Sequence, residues 1–174
     1  MNATSTSKPF VAILMGSDSD LPVMQSTIDL LKELTIPTEV KITSAHRTPQ
    51  VTHDYVVDAD KRGCNVFIAA AGLAAHLAGA VAALTIKPVI GVPMDGGPLK
   101  GQDALLSTVM MPGGIPVATV AIGKAGAVNA AYLAAQIMAL GDTDIAQKLA
   151  HTKQQNAEKV LQKDKELQEK LNKE

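Results

Sequence analysis

The chain lacks tryptophan, has two phenylalanines and two tyrosines, and carries a single cysteine among 174 residues. Yet 47% of it is hydrophobic, so its core must be built from Ala, Val, Ile, Leu and Met. Small side chains of this kind let helices and strands approach closely. The scarcity of aromatics speaks against a single-strand nucleic-acid binder, which stacks bases on aromatic rings, and against a flavin carrier that stacks an isoalloxazine. A net charge of −1 gives no basic surplus for a phosphate backbone. One cysteine, Cys64, excludes an internal disulfide framework and a multi-cysteine metal site. It stands before a β-type run and reads as a small buried hydrophobe. No histidine pair has HExxH spacing, so no metal site is expected. No apolar run reaches the roughly 18 residues that mark a membrane span. Residues 1–9 are polar and Ser/Thr-rich, without the apolar centre of a signal peptide. They are expected to form a flexible arm, and the protein to be cytoplasmic.

What is present is an alternation of strand-type and helix-type segments. "FVAILM" (10–15), "NVFIAA" (65–70) and "PVIGVP" (88–93) are short apolar runs suited to strands covered on both faces. "TEVKI" (38–42) alternates, and "VATVAIG" (117–123) completes five candidate strands. Between them lie helical patterns. Residues 23–34 place Met24, Ile28, Leu31 and Leu34 on one face, with Asp20 or Leu21 at the N-cap and Pro22 in the first turn. Pro49 opens a second helix with Val51, Tyr55 and Val56 as its inner face, ended by Gly63. Residues 72–85 form a Gly-edged turn and Ala-rich helix, 101–109 a short helix, and 124–140 an Ala-rich helix. This pattern predicts a parallel sheet with helices on both sides, in one of a few right-handed doubly wound topologies. The domain is expected over 10–141. Residues 142–174 are rich in Lys, Glu and Gln, with Ile145, Leu149, Val160, Leu161, Leu167 and Leu171 as an irregular apolar stripe. Two readings are open for that helix: a solvated element, or an arm packed on another subunit.

Ligands of such sheets bind beyond the carboxyl ends of the strands, and three polar clusters fall there. "GSDSD" (16–20) offers hydroxyls and carboxylates at a helix N-terminus, where backbone N–H groups favour an anion; ordinary capping by Ser19 or Asp20 explains it equally. "SAHRTP" (44–49) joins an imidazole, able to move a proton near neutral pH, to a guanidinium that can grip phosphate or carboxylate with two bonds. Partial burial and the neighbouring cation are expected to favour a neutral, basic His46; a polar surface turn is the other reading. "AGLAAHLAG" (71–79) surrounds His76 with small residues that let backbone approach a ligand, or else places a satisfied histidine at a helix start. His53 and His151 read as structural or solvent-facing, Lys124 as an anion contact or equally an exposed side chain, and Asn129 as a packing or interface polar group.

Taken together, "MGSDSD", "SAHRTP", "AAHLAG", "GVPM", "MPGGIPV" and "AIGKAGAVNAA" resemble, in their order, the PurE family in its class I form, the N5-carboxyaminoimidazole ribonucleotide mutases. The resemblance spans roughly residues 10–140. It implies a flavodoxin-like three-layer α/β/α sandwich with a C-terminal helical extension that reaches a neighbour in a homo-octamer. It implies a ribonucleotide substrate whose carboxylate moves from the exocyclic nitrogen to ring C4, without metal, ATP or organic cofactor. Carried over by position, Ser17 and Arg47 hold the phosphate, Asp20 accepts the ribose hydroxyls, and Ser44 adds a phosphate or positioning contact. His46 is the general acid/base, and His76 with the backbone at Ala71 and Gly72 closes over the substrate. The related carboxylase class, which acts on aminoimidazole ribonucleotide and CO2, more often has Lys after the histidine. The chain departs from the family pattern at Leu73, where Gly is usual, and at Ala78, where Pro is usual. Residues 94–101 also differ, and no site residue is expected in them. A nucleotide-binding module of the same fold without chemistry is the remaining alternative.

Overall fold

A computed structural model describes residues 8–172. Its centre is a five-stranded parallel sheet of order β2-β1-β3-β4-β5. The strands are β1 (Phe10–Met15), β2 (Thr38–Ile42), β3 (Cys64–Ala71), β4 (Val89–Pro93) and β5 (Ala118–Thr119). All six side chains of β1 are buried, which is why its sequence is unbroken hydrophobe: it is covered on both faces. Alternation along the strand sorts the residues between two cores. Val11, Ile13 and Met15 face helices α1 (Leu21–Glu33) and α5 (Lys124–Ala139) and the start of α6 (Thr143–Leu171). Phe10, Ala12 and Leu14 face α2 (Pro49–Lys61) and α3 (Leu77–Ala82). The remaining helix, α4 (Gln102–Val109), lies beside β4. The result is the three-layer α/β/α sandwich expected from the strand–helix alternation.

Alanine sets how closely the layers pack. Ala127, Ala130, Ala131, Ala134 and Ala135 of α5 are fully buried, and Thr27 of α1 donates a 2.7 Å hydrogen bond to the Ala127 carbonyl. At the start of α5 the approach is closer still: a Cβ on Gly126 would stand 1.6 Å from the Ala121 carbonyl oxygen, so only glycine fits. The edge strand β2 is tied to α2 through Arg62, whose guanidinium grips both Glu39 oxygens and donates to Asp58 at 2.6 Å. Arg62 holds the Glu39 carboxyl below its ordinary value.

Two expectations need correction. The fifth strand is shorter than 117–123. Its ladder reaches only Ala118 and Thr119, and beyond it single bonds run from Val120 N–H to Gly91 and from Gly123 N–H to Pro93; Pro93 has no N–H to return. The turn and helix expected over 72–85 are both present: residues 72–76 form the turn that carries His76, and the helix runs from Leu77 to Ala82. The inner face of α2 is Thr52, Val56 and Ala59, with Tyr55 half-buried against the same core as expected and Val51 49% exposed. Periodicity missed Thr52 because it is polar; its hydroxyl is buried against Thr43 at 2.7 Å.

Of the N-terminal arm, residues 1–7 lie outside the described residues, as do 173–174. Among the described residues no helix is long and apolar enough to cross a membrane. In α6 only Ile145 is buried, with Leu149 packed against the same core. From residue 153 to its end the helix is exposed.

Candidate active site

Sheet order reverses between β1 and β3, and in such folds the crevice at that point receives the ligand. The loops leaving β1, β2, β3 and β4 meet there around a cleft of about 820 Å³. Ser17, Asp20, Ser44, His46, Arg47, Ala71, Gly72 and His76 all line it.

After β1 the chain turns at Gly16 into a short 3-10 turn, Asp18–Asp20, before α1. Ser17 caps that turn: its hydroxyl accepts from Ser19 N–H at 3.3 Å, and Asp20 Oδ2 accepts from Ser17 N–H at 3.2 Å. The cap is therefore Ser17 rather than Ser19 or Asp20, and Ser17, Ser19 and Asp20 all line the cleft. Asp20 is N-terminal to α1 but makes no side-chain bond to that helix. It is buried to 8% exposure. Burial raises its carboxyl above the ordinary value, the Ser17 N–H opposes this, and Asp18 adds to it.

The loop after β2 is braced by hydroxyls. Thr43 extends the ladder by donating its N–H to Met15, and its buried side chain meets Thr52 at 2.7 Å and Thr48 at 3.3 Å. Thr48 Oγ1 accepts from Ser44 N–H at 2.9 Å, and Ser44 Oγ from Arg47 N–H at 3.1 Å. The braced turn presents His46 and Arg47 to the cleft, both exposed in the single chain rather than partly buried as expected for His46. Arg47 also reaches the Gly16 carbonyl at 3.5 Å.

Across the cleft, the turn after β3 delivers His76 at the start of α3. His46 Nε2 and His76 Nδ1 lie 2.6 Å apart, with the rings edge to face at 85°. One nitrogen must donate and the other accept, so the contact holds a single hydrogen and couples the tautomers of the two rings. The site thus combines an imidazole positioned by a second imidazole, a guanidinium beside it and a buried carboxylate opposite.

The fourth loop went unforeseen. Met94, Asp95, Gly96 and Gly97 also line the cleft, although no site residue was expected in 94–101. The signal was positional: this loop follows a strand adjacent to β3, and Met94 N–H binds the Ala71 carbonyl at 2.9 Å. Leu73, the departure from the family pattern, lines the cleft as well, with left-handed backbone at φ 56°. Ala78 instead is buried in the core. Lys124, Asn129, His53 and His151 lie outside the lining. Among the described residues no group of three or more His, Cys, Asp or Glu side chains could hold a metal ion.

Comparisons with known proteins agree with this geometry. The family model described as AIR carboxylase matches residues 10–159. The N5-carboxyaminoimidazole ribonucleotide mutase of Bacillus subtilis is 51% identical over 160 residues, covering 92% of this chain and 99% of its own. A phosphoribosylaminoimidazole carboxylase of Ogataea methanolica is 57% identical over 138 residues, 79% of this chain but 25% of that longer protein. Among solved structures, Treponema denticola PurE superposes with a TM-score of 0.84 at 31% identity, covering 92% of this chain and 99% of that one. The fold, the order of motifs around the cleft and these matches place the chain in the AIR carboxylase (PurE) family.

Proposed function

We propose that this protein is an N5-carboxyaminoimidazole ribonucleotide mutase of purine biosynthesis, acting in the cytoplasm as an isomerase. The observation that carries the reading is the His46–His76 contact of 2.6 Å in a cleft that also holds Arg47, Ser17 and Asp20, in a chain about half identical to proteins of that name. In the bound complex Arg47 and Ser17 hold the 5′-phosphate, with Ser44 shaping the turn beneath them. Asp20 accepts hydrogen bonds from the ribose hydroxyls. The base then lies against Ala71 and Gly72, within reach of His46.

The chemistry is a proton relay around a mobile carboxylate. His46 protonates the exocyclic nitrogen of the carbamate; the N–C bond breaks, its electrons staying on nitrogen, and neutral CO2 is released into the cleft. Ring C4, made electron-rich by the amine, attacks the CO2 carbon and forms the new C–C bond. His46, now lacking its proton, removes the hydrogen from C4 and restores the aromatic ring. His76 holds the His46 ring in the required tautomer. Protons and electrons balance without an oxidant, a reductant or a cofactor. Keeping CO2 beside C4 makes recapture effectively unimolecular.

His46→Asn removes the group that moves the proton. It is expected to lower kcat by about 10²-fold or more, with the thermal midpoint nearly unchanged because His46 is exposed. Full turnover in this variant would sink the assignment. The carboxylase reading keeps a specific observation in its favour, the Ogataea methanolica relative. Assays with each ribonucleotide, with and without bicarbonate, separate the two: the mutase consumes the N-carboxylated substrate without added bicarbonate.

A further inference from the structure

One motif of the sequence contributes nothing to the cleft lining: "MPGGIPV", residues 111–117. It packs instead on α3, the helix that begins at His76. That helix has six residues, Leu77–Ala82, and its N-cap makes no side-chain hydrogen bond. A helix this short does not hold itself in place, so its position is set by what packs on it. One side is fixed by the core: Leu77, Ala78, Val81 and Ala82 are buried with residues of β1 and β3. Ile115 and Val117 pack, partly buried, on the same core. Val117 and Ala78 meet over β4, where a Cβ on Gly91 would stand 2.9 Å from Val117 Cγ1 and 3.3 Å from Ala78 Cβ.

Met111, at the other end of the motif, bears on α3 itself. A Cβ on Gly79 would stand 2.9 Å from Met111 Sδ and 3.3 Å from its Cε, so the thioether rests on bare helix backbone. An unbranched, polarisable side chain suits such a seat. Residues one turn apart share a helix face, which puts Gly79 in the same row as His76. The His76 carbonyl accepts from Ala80 N–H at 2.9 Å, so Met111 presses on the turn that His76 opens. That turn has little freedom to drift. His46 Nε2 and His76 Nδ1 lie 2.6 Å apart, and a displacement of α3 by about 1 Å would take them out of hydrogen-bond reach.

We infer that Met111 is a positioning residue for the imidazole pair: seated on Gly79, it holds the first turn of α3 so that His76 Nδ1 meets His46 Nε2. It acts through His76 and lies outside the cleft lining. Its effect on turnover rests on the mutase reading above; its effect on the imidazole contact does not. Ser17, Asp20 and Arg47, assigned to the nucleotide, sit on the loops after β1 and β2. A displaced α3 therefore lowers turnover and leaves nucleotide binding largely as it was.

The test uses the full chain in two measurements. Steady-state kinetics follow N5-carboxyaminoimidazole ribonucleotide. Solid-state NMR of protein with ¹⁵N-labelled histidine rings reads the coupling across the His46–His76 hydrogen bond. Met111→Ala removes the seat: kcat should fall about tenfold with KM within about twofold of wild type, and the cross-bond coupling should disappear. Met111→Leu, which refills the space, should restore both. Gly79→Ala breaks the contact from the other side and carries the same readings should Met111→Ala not fold. Alanine favours the helix, so its thermal midpoint should hold while its methyl displaces the sulfur and kcat falls. Combining the two changes should give no further loss, since both act on one contact. A folded Met111→Ala protein with wild-type kcat and coupling overturns the inference. A fall in kcat with the coupling intact overturns it as well, since the loss would then bypass His76. A wild type that forms no C4-carboxylated product overturns the mutase reading, and the coupling still decides whether Met111 holds the pair.

Discussion

At the residue scale the site shows one side chain serving two purposes, and Asp20 is the sharpest case. It closes the Ser17 turn and faces the cleft. Its carboxyl is raised above the ordinary 3.8, first by burial, against the Ser17 N–H and together with Asp18. A folded-state value above the unfolded one means that the native state binds the proton more tightly. The stabilisation from that proton is therefore complete below 3.8 and is lost as pH rises through the raised value. At neutral pH the buried charge is a cost to the free protein, one that the proposed role as acceptor for ribose hydroxyls would offset in the complex. Asp20→Asn keeps an oxygen for the Ser17 N–H and removes the charge. It should melt at or above wild type near neutrality, with the gap closing on acidification. Its kcat/KM should fall about tenfold or more through loss of charge-assisted bonds. Melting curves across pH and steady-state kinetics check both; a variant less stable at pH 7 with kcat/KM intact would contradict the assignment.

At the element scale, what could be read from sequence follows from how each element is stabilised. The strands β1, β3 and β4 were legible because burial on both faces leaves a continuous apolar signature. The three loops bearing hydroxyl, imidazole and guanidinium groups were legible because the clusters recur at three successive strand ends and their motifs resemble a known family, although capping or a surface turn explains each one alone. The β4 loop was not, since Gly96 and Gly97 contribute backbone and space, and a lone Asp95 beside two glycines reads as an ordinary turn residue. The inner face of α2 was misplaced for a related reason: Thr52 is buried by hydroxyl pairing with Thr43, which hydrophobic periodicity cannot register. That pairing, with Thr48, sets the height of the His46 turn above the sheet. Thr48→Val leaves the Ser44 N–H without its acceptor. It should cost about 1 kcal/mol of stability and lower kcat/KM several-fold, while Ser, which keeps the hydroxyl, restores both. Equal kinetics for the Val and Ser variants would show that the brace has no part in presenting His46.

At the scale of the whole molecule, the single chain leaves much apolar surface open. Ile86 is 97% exposed, Leu140 90% and Met110 75%. In α6, Val160, Leu161, Leu167 and Leu171 are each more than half exposed on a helix that leaves its own core after Leu149. A chain folding alone gains nothing from such residues. Subunits of the homo-octamer implied by the family resemblance would bury them, with α6 laid on a neighbour. The exposed His46 and Arg47 fit the same proposal, in which a neighbouring copy would complete the cleft. Light scattering should then give a particle of eight times the 18.1 kDa of one chain. The double substitution Val160→Lys and Leu161→Lys tests the role of α6. Both positions are exposed in the single chain, so its intrinsic stability should change by no more than about 0.5 kcal/mol for each. If α6 packs on a neighbour, burying two lysine charges there is costly, and the particle should shift to smaller assemblies with a concentration-dependent melting point. An unchanged mass for the variant would leave α6 a solvated helix, and an 18.1 kDa wild-type particle would remove the octamer altogether.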